Sequence, residues 1–159
     1  MVRIALVQPE IAPNTGNVAR LCVCNGIQLH LVHPLGFRIA DRNLRRAGMD
    51  YWQHLDLVEH PDLEAFLCAL PPGDRVHWFS TKATTDLWEA RFGDGDWLVF
   101  GSESRGLPER LRAVHPEGWL RIPMTGEFVR SLNLSSSVAV GAYEALRQIG
   151  RPSLQQGIP

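Results

Sequence analysis

The sequence predicts an α/β protein with a mostly parallel sheet and helices on both faces. Three observations predict it. Short apolar runs alternate with segments of helical period over nearly the whole chain. The runs are continuously apolar rather than alternating, as strands covered on both faces are. Polar loops rich in Gly, Asn and Ser follow several of the runs, which is where α/β proteins place ligand sites.

In chain order, Arg3 to Gln8 reads as a buried strand followed by the turn PEIAPNTGN. Asn14 or Thr15 is expected to cap a helix bearing Val18, Leu21 and Cys22 on one face, with Asn25-Gly26 closing it. Ile27 to His33 is a second strand, and a polar segment from Arg38 to Gly48 follows. Leu55 to Glu59 reads as a strand, Asp62 to Leu70 as a helix, Val76 to Ser80 as a strand and Thr84 to Arg91 as a short helix. Trp97 to Phe100 is a strand running into GSESRGLP, where Pro108 suits a helix start, and Leu120 to Pro123 is the last strand. Thr125, Gly126 and Glu127 turn the chain. Leu134, Val138, Ala142, Leu146 and Ile149 then recur at helical spacing behind a cap at Asn133 or Ser131.

At 159 residues the chain is expected to form a single domain over residues 1–150, with a frayed tail over 151–159. Hydrophobic content of 45%, charged content of 21% and a net charge of -1 exclude a disordered chain and a globally basic nucleic-acid binder. RNA binding would then need a local patch. The N-terminal apolar run is too short for a signal peptide and no segment is long enough to span a bilayer, so a cytoplasmic, non-membrane protein is expected. Cys22, Cys24 and Cys68 form no C-x-x-C pair, and buried thiols are expected at all three.

Three loops fall after strands, Pro13 to Arg20, Gly101 to Pro108 and Thr125 to Ser136, and a parallel sheet brings them to one edge. The last crowds Arg130, Asn133 and four serines, Ser131, Ser135, Ser136 and Ser137, at a helix start, where free N–H groups favour anions. One cap needs one such residue. Neither a P-loop lysine nor a G-x-G-x-x-G fingerprint is present, which disfavours a nucleotide-binding protein of the flavodoxin type. His30 and His33, three apart on a strand, face opposite ways, and no metal is expected. Arg38, Arg42, Arg45 and Arg46 form a basic cluster beside Tyr51 and Trp52; Arg42, Arg45 and Arg46 are the expected RNA contacts.

Taken together, NTGNVAR (Asn14 to Arg20), FGSESRGLP (Phe100 to Pro108) and IPM followed by RSLNLSSSVAV (Ile122 to Val140) resemble the three motifs of the SPOUT RNA methyltransferases. RRAGMDY (Arg45 to Tyr51) and the spacing resemble the small stand-alone subgroup that methylates the ribose 2'-oxygen of the tRNA wobble nucleotide. The resemblance implies a deep trefoil knot in the C-terminal half, S-adenosylmethionine as methyl donor, a homodimer and tRNA as substrate. Chain order alone implies no knot. Carried over by position, it implies donor contacts at Phe79, Gly101, Ile122, Ser131 and Leu132, and reaction-centre residues at Arg20, Glu103 and Asn133. The family often has Pro at Ser102 and Gly at Ala83, and the loop from Thr125 to Arg130 is slightly long. Two further readings are methylation at another tRNA or ribosomal RNA site, and a donor-binding RNA module without catalysis.

Overall fold

The computed structural model describes residues 1–39, 51–126 and 128–150. The expected RNA contacts Arg42, Arg45 and Arg46, the turn residue Glu127 and the tail over 151–159 lie outside the described residues. The strands are β1 (Arg3–Val7), β2 (Gln28–Val32), β3 (Leu57–His60), β4 (Val76–Phe79), β5 (Thr85–Asp86), β6 (Trp97–Phe100) and β7 (Trp119–Arg121). The helices are α1 (Ala12–Asn25), α2 (Leu63–Ala69), α3 (Arg110–Val114) and α4 (Leu134–Gln148).

All seven strands join one sheet in the order β3-β2-β1-β6-β4-β7-β5, and every pairing is parallel. A parallel sheet needs cover on both faces, and the pleat supplies two apolar surfaces from one strand. Ile4 and Leu6 of β1 face a core with Val18 and Cys22 of α1 and Val138 and Ala142 of α4. Ala5 and Val7 face the opposite way, into a core with Phe66 of α2 and Leu111 of α3. The expected apolar face of α4 is observed, with Leu134, Val138, Ala142 and Leu146 buried. Gly26 closes α1 in the left-handed region at φ 61°, donating its N–H to the last turn, as expected for Asn-Gly.

Three expectations need correction. The N-cap of α1 is Ile11; Asn14 and Thr15 lie inside the first turns and are buried. Pro13 is tolerated there because first-turn N–H groups lack helical partners, and a carboxylate from across the fold supplies the cap, as shown below. The segment Thr84 to Arg91 forms β5 and a single 3₁₀ turn, Leu87–Glu89, because the β-branched pair Thr84-Thr85 leads into an edge strand beside β7. Only Cys22 is buried; Cys24, about 200° around α1 from it, and Cys68 on α2 are exposed. Burial pushes the Cys22 thiol up to about 12.

Distant histidines meet in the core. His30 Nδ1 lies 2.9 Å from His60 Nε2, and His30 Nε2 lies 2.8 Å from Gln28 Oε1. Trp97 packs its ring edge-on to His30 at 4.6 Å. Burial first, then the charges of His60 and Arg3, brings His30 down to about 4, and burial lowers His60 too. Well above the ordinary histidine range both rings are neutral folded and unfolded alike; below it the unfolded chain takes up protons that folded His30 refuses until about pH 4 and that burial makes folded His60 less ready to accept. Stability is therefore expected to fall as pH drops through that window. Melting temperatures at about pH 7 and about pH 5 check this, and a value unchanged by acidification contradicts it.

Candidate active site

The carboxyl ends of β4, β6 and β7 share one edge of the parallel sheet, so the loops after them converge. Between them lies a cleft of about 520 Å³, within the usual range for small-molecule sites. Its lining includes all five expected donor contacts, Phe79, Gly101, Ile122, Ser131 and Leu132, together with Glu103 and Asn133. Phe79 and Phe100 stack with centroids 4.3 Å apart beneath it. Gly141 of α4 lets the rings approach, because a Cβ there would lie 2.9 Å from Phe79 Cζ.

The loop after β6 folds back on itself. Gly106 N donates to Ser102 O at 2.9 Å, and a Cβ on Gly101 would lie 2.0 Å from the Gly106 carbonyl carbon. No side chain fits at 101. The fold therefore presents bare backbone to the cleft at the end of β6.

Glu103 connects this loop to α1. Its carboxylate accepts from Glu10 N at 2.7 Å, Ile11 N at 3.2 Å and Asn14 Nδ2 at 2.8 Å. The negative charge satisfies orphan donors at the positive end of the helix. Glu10 reciprocates, accepting from Ser104 N at 3.0 Å and Ser104 Oγ at 2.7 Å. Asn14 Oδ1 in turn accepts from Asn133 Nδ2 at 2.8 Å, while Asn133 Oδ1 caps α4 through Ser135 N at 2.9 Å. Glu103, Asn14 and Asn133 thus lock two helix starts to the loop after β6.

Glu10 and Asn14 were missed by the sequence reading as parts of this network. The only signal was the polar density of PEIAPNTGN, which could not say which distant loop it faces. Glu103→Ala would leave Asn14 Nδ2 and two backbone donors without their acceptor. We expect it to lower unfolding free energy by about 1–3 kcal/mol. Urea unfolding measures this, and wild-type stability would contradict the capping role.

Arg20 stands apart from the network. It lies about 9 Å along α1 from Asn14 and is exposed, with its guanidinium 5.2 Å from the Tyr51 ring centroid. The cleft lining does not include it. Glu103 therefore meets Asn14 and the backbone N–H groups just before α1, while Arg20 meets Tyr51. At the cleft itself Lys82 pairs with Glu109 at 2.9 Å, and Arg105, Arg112 and Arg130 add positive charge to the lining.

The family model described as the SpoU rRNA Methylase family matches residues 1–143. The chain belongs to this family. A relative from Acidovorax sp. (strain JS42), named tRNA (cytidine(34)-2'-O)-methyltransferase, is 49% identical over 150 residues, 93% of this chain and 92% of the relative. One of the same name from Escherichia coli (strain K12) is 46% identical over 153 residues, 96% of each chain. A solved structure described by the 2-OH methylation of C/U34 on tRNA matches with a TM-score of 0.89 and 53% identity, covering 93% of this chain and 95% of that chain. Each of these matches covers more than nine-tenths of both chains.

Proposed function

We propose that this chain methylates the ribose 2'-hydroxyl of the wobble nucleotide, cytidine or uridine at position 34, in tRNA anticodons, with S-adenosylmethionine as donor. The observation that carries the reading is the convergence of residues from all three motifs, Asn14 at the start of α1 and the loops after β6 and before α4, on one cleft beside a Gly101 that admits no side chain. Near-full-length identity of 49% and 46% to relatives named for this reaction supports the substrate.

The cleft fits such a donor. It has bare backbone at Gly101, apolar walls at Ile122 and Leu132, and a hydroxyl at Ser131. Phe79, Gly101, Ile122, Ser131 and Leu132 would hold it. When bound, S-adenosylmethionine supplies a methyl group on a sulfonium that is already electrophilic, so no metal is needed. Aligning the ribose oxygen is then the main task of the protein, and good alignment lowers a barrier by about 7 kcal/mol or more.

A guanidinium is a poor base, so the role proposed for Arg20 is to hold an RNA phosphate and stabilise the developing alkoxide. The substrate phosphate is the acceptor for the hydroxyl proton. Glu103 and Asn133 act at one remove, holding the start of α1 and the loop before α4 in register with the cleft. Arg42, Arg45 and Arg46 add RNA contacts.

With a net charge of -1, one chain attracts tRNA weakly, and a homodimer that pairs two local basic patches strengthens the attraction. tRNA as substrate puts the reaction in the cytoplasm. The C-terminal half is knotted in this reading: α4 returns from β7, beyond β4, to pack on α1 and β6. An experimental chain trace in which residues 122–133 pass outside the preceding loop would remove the knot.

Nucleoside mass analysis of tRNA from cells with and without this protein tests the function. The expected result is loss of 2'-O-methylcytidine or 2'-O-methyluridine at position 34. An unchanged anticodon, or loss at another nucleotide, overturns the assignment.

A further inference from the structure

The most exposed apolar side chain among the described residues is in the loop before α4. Phe128 is 99% exposed and Val129 67%, and Met124 and Leu132 in the same loop are exposed too. Met124, Arg130, Ser131 and Leu132 line the cleft, so Phe128 is bracketed in sequence by its wall. Isolated surface hydrophobics are ordinary. An aromatic ring wholly in water is different, because it adds no burial to the fold and keeps its full apolar surface available to a ligand. Phe128 also lies within the stretch from Thr125 to Arg130 that is slightly long against the family pattern.

The surroundings select the ligand. Lys82, Arg105, Arg112 and Arg130 line the cleft against Glu103 and Glu109, and the Glu103 carboxylate is already engaged by the start of α1. Positive charge beside a bare aromatic ring suits a nucleotide, whose phosphate and base present an anion and a flat π-face together. Modification of a ribose also brings the attached base to the mouth of the cleft, where a base lifted from its stack needs a new one.

We propose that Phe128 is the stacking platform for the base of the nucleotide whose ribose is modified, with Arg130 holding the adjoining phosphate. The inference rests on the wobble-methylation reading for the identity of the RNA. Base recognition at this position belongs to this chain's own loop rather than to the three motifs.

The test is fluorescence anisotropy with a labelled anticodon stem-loop RNA, intact or abasic at nucleotide 34, for the full-length wild type, Phe128→Ala and Phe128→Trp. Phe128→Ala is expected to bind the intact RNA about tenfold more weakly and Phe128→Trp to restore binding, while the abasic RNA distinguishes them less than about twofold. Equal binding by wild type and Phe128→Ala overturns the proposal, and so does an equal loss on the abasic RNA. A change of association state in Phe128→Ala by sedimentation assigns the ring to a protein contact instead. No binding by the wild type also overturns stacking, whatever a methylation assay returns. Phe128-dependent binding without any 2'-O-methyl product supports stacking and sinks the methylation reading; normal methylation by Phe128→Ala at unchanged KM does the reverse.

Discussion

Gly101→Val is expected to weaken S-adenosylmethionine binding by more than about a hundredfold and to lower the melting temperature by several degrees. The clash is with backbone: a Cβ at 101 would lie 2.0 Å from Gly106 C, 2.2 Å from Leu107 N and 2.4 Å from Gly106 O. A flexible side-chain tip could swing away, but here the loop itself must open. Opening it breaks the Gly106 N–H to Ser102 O bond and shifts Glu103, which carries the start of α1. Donor site and helix cap are therefore expected to fail together. Calorimetric titration with the donor and its demethylated product, beside thermal melts, reads both. A Gly101→Val protein with wild-type donor affinity would show that the backbone at this strand end is not the contact surface.

Arg20→Ala is expected to reduce methyl transfer about 10²–10³-fold while leaving donor affinity within about twofold. The split follows from position, since Arg20 is exposed on α1 beyond the cleft lining and its guanidinium sits over Tyr51 rather than in a buried pair. Its fork is free to engage RNA, and removing it leaves the donor pocket's residues in place. Arg20→Lys keeps the charge but loses the planar two-point geometry, so an intermediate rate is expected. Single-turnover transfer of a labelled methyl group to tRNA, with separate donor titration, checks the pair of numbers. Wild-type turnover in Arg20→Ala would remove this residue from the chemistry.

Much of the architecture was legible because it is written in local periodicity. The continuously apolar strands β1 and β6 announce a sheet covered on both faces, and both are buried along nearly their whole length. The spacing of Leu134, Val138, Ala142 and Leu146 marks the buried face of α4, and Asn133 is its cap through contacts two and three residues away. The failures were of another kind. Asn14 looked like a cap from its place before an apolar stripe, but the acceptor for the start of α1 comes from Glu103, 93 residues from Glu10 in the chain. Leu87 to Arg91 favours helix locally, but the β-branched Thr84-Thr85 and the parallel edge beside β7 draw Thr85 and Asp86 into the sheet.

By itself the sequence determined the layered α/β class, the strand and helix faces, and the polar loops after β6 and before α4 that meet at one sheet edge, because patterning and turn chemistry act over a few residues; the third expected loop, Pro13 to Arg20, is part of α1. Tertiary structure alone decided the strand order, the meeting of Glu103 with the start of α1, and the placing of Phe128 in solvent beside the cleft. The reason is that burial and orphan hydrogen-bond donors are settled between segments far apart in the chain. No short window carries the information about which distant group will meet them.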